Sequence, residues 1–329
     1  MTYDIPFDSM CIQGCSTKAL IILGAVQYLS DTKKLALINN FVGTSSGAIV
    51  CFMIIIGYTP AEILCYICVN QVMEKLTNFN LVSMVNGLGA KSWSRIQEIL
   101  EKMTIQKIGY LPTMKCIKEK FKKNLTMVTY NLTTKKTEYI SAETHPDLPV
   151  LVAIRMTANL PFVFEKFQYQ GQFFIDGGLS NNFPLTYAEE QGKKVIAIRI
   201  SNDSTSEKCD TSFVSYLSKI MMIPIIEVER AQIESCKKST VVCELKTDKF
   251  VSCIDFKFTN TQKMNMFSSG YQQMRNYFEP NAPPEEGKRE EESEREEESE
   301  KEEENEKEEE DEKKAKKKTL NKWTPLQKL

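Results

Sequence analysis

The feature that most constrains this chain is Gly43-Thr44-Ser45-Ser46-Gly47, a Gly-x-Ser-x-Gly motif set between two apolar runs. The spacing fits a sharp turn from the end of a strand into the start of a helix, with the serine at its apex in a strained backbone conformation. Gly43 and Gly47 remove the Cβ atoms that would collide where strand and helix approach each other. Ser45 then stands clear of the sheet edge as a candidate nucleophile. The helix start behind it lends positive partial charge where an oxyanion would form. The flanks agree: Leu35 to Val42 predicts a short buried strand, and Ala48 to Ile56 is apolar on every side, as a helix under a sheet would be.

A turn of this kind needs a large domain around it, and 329 residues with 42% hydrophobic content supply one. Charge is unevenly spread. Glu285 to Lys318 carries 19 acidic and 10 basic residues and Lys322 and Lys328 follow it, which leaves residues 1–284 with a net charge of +5, suited to an anionic surface. From Glu291 to Lys314 a charged unit of six residues repeats, placing an acidic residue four before a basic one and offering no apolar face. We therefore expect residues 7–280 to form the domain, with its core motifs in 7–190. Residues 281–329 are expected to form a charged tail, a disordered segment or a single solvated helix. Lys313 to Lys318, followed by Leu320, Trp323 and Leu326, suits contact with an acidic partner or a membrane, or a nuclear signal; a plain solvated tail is the simpler reading.

Met1 to Asp8 holds neither a basic n-region nor an apolar h-region, so a cytoplasmic protein without a secretory signal is expected, its ten cysteines reduced. Cys65 and Cys68 form a C-x-x-C pair, but within an apolar helical run and without a second pair at zinc spacing; core packing is expected there, and no metal. Ala48 to Val69 is apolar enough to raise the question of a membrane span. Gly57-Tyr58-Thr59-Pro60 cuts it into pieces of about ten residues, too short at about 1.5 Å per residue, and two buried helices are expected instead.

Elsewhere strands alternate with helical stretches. Ser9 to Gly14 reads as a buried strand ending in glycine, followed by a helix over Leu20 to Leu29. Residues 60–120 look mainly helical, with a loop at Asn86 to Gly89. Asn124 to Tyr139 predicts paired strands, Val150 to Met156 a helix closed by Pro161, and Phe173 to Ile175 and Lys194 to Ile200 further strands. Phe213 to Cys236 and Asn260 to Phe278 predict helices around a strand at Thr240 to Leu245. This alternation points to a parallel or mixed sheet covered on both faces.

A Gly-x-Ser-x-Gly serine ordinarily raises the expectation of a Ser-His-Asp triad. The chain has one histidine, His145, in a polar loop by composition, so we expect it at the surface and the serine proton to go elsewhere. Asp176, at the end of an apolar strand and before Gly177 and Gly178, is the candidate. A carboxylate within reach of the hydroxyl serves as general base if burial raises its pKa. The two glycines after Asp176 let the backbone turn and approach another segment closely, although Asp-Gly-Gly taken by itself reads more readily as a tight turn between two strands.

Three ordered segments carry a resemblance: Gly43 to Gly47, Ala153-Ile154-Arg155-Met156-Thr157-Ala158-Asn159-Leu160-Pro161-Phe162-Val163-Phe164, and Asp176-Gly177-Gly178 with Asn182-Phe183-Pro184 after it. Together they resemble the patatin-like phospholipases. The resemblance implies a three-layer α/β/α domain and a dyad of Ser45 and Asp176, with no metal and no cofactor. It also implies an oxyanion hole from the backbone around Gly14, Cys15 and Ser16. The family's glycine-rich loop is altered here to Gly14-Cys15-Ser16-Thr17-Lys18-Ala19, and a positive φ at Cys15 or Ser16 would cost about 1 to 2 kcal/mol. Lys18 is a candidate contact for an anionic head group. The implied activity is acyl-ester hydrolysis, of phospholipase A, lysophospholipase or triacylglycerol lipase type. Substrate would come from a membrane or lipid-droplet surface met peripherally, and no nucleic acid is called for. An acyltransferase using the same dyad and a catalytically weakened lipid-binding scaffold stand as alternatives.

Overall fold

The computed structural model describes residues 6–73, 93–161, 163–201, 213–247 and 257–280; for 213–219 and 221 it describes the backbone alone. The chain divides into residues 1–280 and 281–329, and every described residue lies in the first unit. The charged tail and the Asn86 to Gly89 loop expected above fall outside the described residues.

The strands are β1 (Ser9–Ile12), β2 (Asn40–Thr44), β3 (Asn124–Asn131), β4 (Lys136–Ile140), β5 (Phe167–Tyr169), β6 (Gln172–Asp176), β7 (Val195–Ser201) and β8 (Val241–Lys246). The helices are α1 (Ala19–Asp31), α2 (Ser46–Ile55), α3 (Pro60–Val69), α4 (Ser94–Ile108), α5 (Met114–Phe121), α6 (Val150–Thr157), α7 (Gly178–Asn181), α8 (Leu185–Gln191), α9 (Phe213–Glu234) and α10 (Asn260–Phe278). A 3₁₀ turn occupies Ser16–Lys18. The sheet order is β5-β6-β3-β2-β1-β7-β8, with β4 also paired to β3. The run from β3 to β8 is parallel, and β4, β5 and β6 are antiparallel additions.

Period-two alternation sorts the strand residues onto two faces. Met10 and Ile12, Phe41, and Ile196 and Ile198 join one apolar cluster; Cys11, Val42, and Val195 and Ala197 join another. The first cluster is completed by α1, α2, α6 and α10. The second is covered by α8, through Leu185 and Ala188, and by Ile233 of α9. This is the expected three-layer α/β/α arrangement, and the sheet reads as apolar runs because both of its faces are buried.

One strand sets the position of the site. Asn40 to Thr44 of β2 pair with Asn124 to Val128 of β3, and Asp176 to Phe174 of β6 pair with Thr129 to Asn131. β4 occupies the other edge of β3, so β2 and β6 meet end to end along one edge, with Thr44 opposite Val128 and Asp176 opposite Thr129. Ser45 and Asp176 are thereby brought together by adjacent rungs of a single ladder.

Several expectations are corrected. Only Asn40–Thr44 is strand, whereas Leu35 to Leu37 belong to turns: the chain folds back after α1, and Ile38 buries its side chain from that return. The short edge strand β5 was not anticipated. Asp176-Gly177-Gly178 is not a hairpin turn but leads from β6 into α7. At Gly57 to Pro60 the chain breaks as expected: Gly57 has φ +99°, and Thr59 and Glu62 form a reciprocal cap on α3 at 3.1 and 2.8 Å. The axes of α2 and α3 then bend by 114°, and no single helix among the described residues is long and apolar enough to cross a membrane. The second half of that run is less buried than expected. Pro60 and Ile63 are buried, but Cys65 is exposed and Cys68 half-buried, because α3 rests along one face only, on α1 and α10. The eight described cysteines are free thiols.

Candidate active site

Ser45 sits between β2 and α2 with φ 53° and ψ −124°, a region that residues with a side chain seldom enter. The surroundings hold it there. Its amide donates to Thr157 Oγ1 at 2.9 Å, and that hydroxyl donates onward to the Val128 carbonyl. Its carbonyl accepts from the Ile49 amide at 3.2 Å, opening the helix. The flanking glycines serve close approach and not φ, since neither has a positive value. A Cβ on Gly43 would lie 2.7 Å from the Ala48 nitrogen, and one on Gly47 would lie 2.5 Å from the Ile12 carbonyl oxygen.

The side chains of Ser45 and Asp176 meet directly, with Ser45 Oγ donating to Asp176 Oδ2 at 2.7 Å. The other carboxylate oxygen, Oδ1, accepts from the Gly178 amide at 2.7 Å, and the Asp176 amide donates to the Asn159 carbonyl at 3.0 Å. Gly177 is needed because any Cβ there would run into the Val128 carbonyl. Asp176 is 4% exposed. Burial pushes its carboxyl up to about 6, although the bonds from Ser45 and Gly178 favour the charged form and pull the other way. A carboxylate so tuned is ionised at neutral pH and basic enough to receive a proton.

The loop after β1 lies beside Ser45. A Cβ on Gly14 would come within 3.3 Å of Ser45 Cβ and would collide with Asn182 Oδ1. The Gly14 amide donates to the Asn182 carbonyl at 3.1 Å, and the Cys15 amide donates to Ser46 Oγ at 3.0 Å. Of the two residues expected to need a positive φ, Cys15 does not, at −144°, and Ser16 does, at +52°. Burial pushes the Cys15 thiol up to about 12, against the bond with Ser46 Oγ and the nearby charge of Lys18, which is half-exposed at the end of the 3₁₀ turn. Cys15 is therefore protonated at neutral pH and does not compete with Ser45.

His145 lies in the turn after β4, 37% exposed, with Nδ1 on Thr144 Oγ1 at 3.0 Å and Nε2 4.0 Å from Glu138. The Ser45 hydroxyl is directed at Asp176 instead. Among the described residues no group of three or more His, Cys, Asp or Glu is placed to hold a metal ion. Sequence reasoning singled out neither Thr157, which stands inside one of the segments quoted above, nor Glu229 of α9, whose carboxylate meets Gln13 and Asn182. Glu229 has no local signal, being one of several charged residues on an otherwise apolar helix.

A model of the patatin-like phospholipase family matches residues 10–189. The chain is 32% identical over 210 residues to the probable lipid hydrolase 463L of Invertebrate iridescent virus 6, covering 62% of this chain and 68% of that protein. Among solved structures, VipD from Legionella pneumophila aligns with a TM-score of 0.49 and 12% identity, over 84% of this chain and 67% of that one. ExoU of Pseudomonas aeruginosa aligns with a TM-score of 0.48 and 14% identity, over 84% and 53%.

Proposed function

Because this chain belongs to the patatin-like phospholipase family, a family of lipid hydrolases, we propose that it hydrolyses carboxylic esters of lipids with Ser45 as nucleophile and Asp176 as general base. The observation that carries this is the 2.7 Å bond from Ser45 Oγ to a buried Asp176 whose carboxyl is pushed up to about 6. Asp176 takes the serine proton as Oγ attacks the acyl carbonyl and returns it to the leaving alcohol. Water then attacks the acyl-enzyme, giving its proton to Asp176, which passes it to the departing Ser45 Oγ as the fatty acid is released.

The oxyanion needs donors beside Ser45. The Gly14 amide is engaged by Asn182, so we assign the role to the Cys15 amide, released from Ser46 Oγ, and to the Ser46 amide, for which the start of α2 offers no i−4 partner. The altered loop favours an active enzyme over a disabled scaffold, because Ser16 supplies the left-handed conformation without a glycine.

The partner we propose is a membrane or lipid-droplet surface. Support comes from α9, which presents Ile220, Ile223, Ile226 and Val228 to solvent at 39–58% exposure. The same helix touches Asn181 and Asn182 in the site through Gln232 and Glu229. An apolar face so near the site suits insertion among acyl chains. Fatty-acid release from mixed phospholipid and neutral-lipid vesicles, with chelator present, tests the proposal. Release by the parent and its loss in folded Ser45→Ala and Asp176→Asn is expected; undiminished release by either variant contradicts the dyad. Adding an alcohol acceptor and identifying the products separates hydrolysis from acyl transfer.

A further inference from the structure

Glu229 is buried, yet it belongs to none of the segments that carry Ser45 or Asp176. Both of its carboxylate oxygens accept from Gln13 Nε2 at 2.8 Å, and Oε1 also accepts from Asn182 Nδ2 at 2.8 Å. Gln13 directly precedes Gly14 and is fixed at its other atoms: its Oε1 accepts from the Ile200 amide at 2.8 Å and its own amide donates to the Ile198 carbonyl at 3.1 Å. The Asn182 carbonyl holds the Gly14 amide at 3.1 Å. These bonds close a ring. It runs from Glu229 to Gln13, along the chain to Gly14, across to the Asn182 backbone, and from the Asn182 side chain back to Glu229. Arg199 stands 3.7 Å from Glu229 Oε2 and 3.4 Å from Glu244, which offsets the buried charge.

A buried carboxylate is an expensive way to seat a helix, and Ile225 and Ile233 of α9 supply apolar packing for that purpose. What the carboxylate adds is direction: it fixes the loop after β1 against the segment after Asp176. We propose that Glu229 is a positioning residue that holds the Gly14 to Ser16 backbone in register with the Ser45–Asp176 pair, so that the oxyanion donors meet the developing charge. This rests on the hydrolase reading above. The Ser45–Asp176 bond is set by the β3 ladder and does not depend on the ring. Loosening the ring therefore slows the chemical step and leaves lipid binding unchanged.

The test compares Glu229→Gln, Gln13→Glu and the double variant. Glu229→Gln sets two amides against each other, and Gln13→Glu sets two carboxylates against each other. The double variant restores one of each with polarity reversed, and position 13 still offers an oxygen to the Ile200 amide. Readouts are kcat and KM on a soluble short-chain p-nitrophenyl ester, the rate of fluorophosphonate labelling of Ser45, sedimentation with phospholipid vesicles, and thermal melting. Each single variant is expected to lose roughly 10- to 100-fold in kcat and labelling rate, the scale of a misplaced donor. KM and vesicle binding should stay within about twofold, and the double variant should return to within about fivefold of the parent, since the coupling of paired residues appears as this kind of rescue. Singles with parental kcat, or a folded double variant no better than the singles, overturn the proposal. Should a single variant not fold, the double variant decides: folded and active upholds the pairing, folded and at least tenfold slower rejects it. A parent with neither turnover nor labelling at Ser45 fails the hydrolase reading itself and takes the positioning role with it; a labelled, active parent whose Glu229 variants match it fails the positioning role alone.

Discussion

In the proposed dyad, Asp176 decides at what pH the site works. Its carboxyl is pushed up to about 6 by burial, and only the ionised form accepts the serine proton. kcat/KM on a soluble ester should therefore rise with pH through about 6 and level off above it, with no fall attributable to a histidine. A profile flat from pH 4.5 to 8 would remove Asp176 as the base. Ser16 carries a different cost, for its φ of +52° places a Cβ where glycine would be unstrained. Ser16→Gly should raise stability by about 1 kcal/mol in denaturant melts with activity retained; the relief of strain is partly offset by the greater freedom of glycine in the unfolded chain. Lower stability would show that the Ser16 side chain contributes more than its conformation costs.

At the scale of elements, β3 is the ruler against which Ser45 and Asp176 are both measured, and α6 reinforces it. Thr157, the last residue of α6, accepts from the Ser45 amide at 2.9 Å and donates to Val128 of β3. Thr157→Val keeps the shape and removes both bonds. It should cost about 1 to 3 kcal/mol of stability, the penalty of leaving buried polar groups unpaired, and lower kcat more than it raises KM because Ser45 loses its hold. A kcat equal to the parent's would show that the elbow keeps its strained geometry without Thr157. Much at this scale was legible in the sequence. Gly43, Gly47, Gly177 and Gly178 marked close approaches, and apolar runs such as Val195 to Ile200 marked strands buried on both faces. The limits were those of local pattern. Leu35 and Ile38 look like strand residues because a turn packed under the sheet also buries apolar side chains, and Cys65 looks like core because composition does not say which face of α3 meets a neighbour. Nor does sequence spacing reveal that β2 and β6 abut on one edge of β3, a register formed between residues far apart in the chain.

For the molecule as a whole, the proposed function requires that one end of the sheet reach a lipid surface. α9 links the two requirements, its outward Ile220, Ile223 and Ile226 apolar and its inward Glu229 and Gln232 bonded to the site. Ile223, 58% exposed, tests the outward half. Ile223→Glu should lower vesicle binding and vesicle turnover by roughly tenfold, the scale of setting a charge among acyl chains, while turnover of a soluble ester stays as in the parent. Equal losses on both substrates would mean that α9 supports the site alone. Neither half was legible beforehand: the sequence places no side chain inward or outward on a helix that is apolar throughout much of its length, and Glu229 is distinguished from Glu227 and Glu234 only by what it touches.

The most direct measurement is to trap the intermediate. The protein is mixed with a slowly deacylating lipid ester, quenched in acid, digested and mapped by mass spectrometry. A fatty-acyl mass on the peptide containing Ser45, absent in Asp176→Asn, is the result expected. Acyl groups on another residue, or fatty acid released while Ser45 never carries one, would contradict the mechanism at its first step.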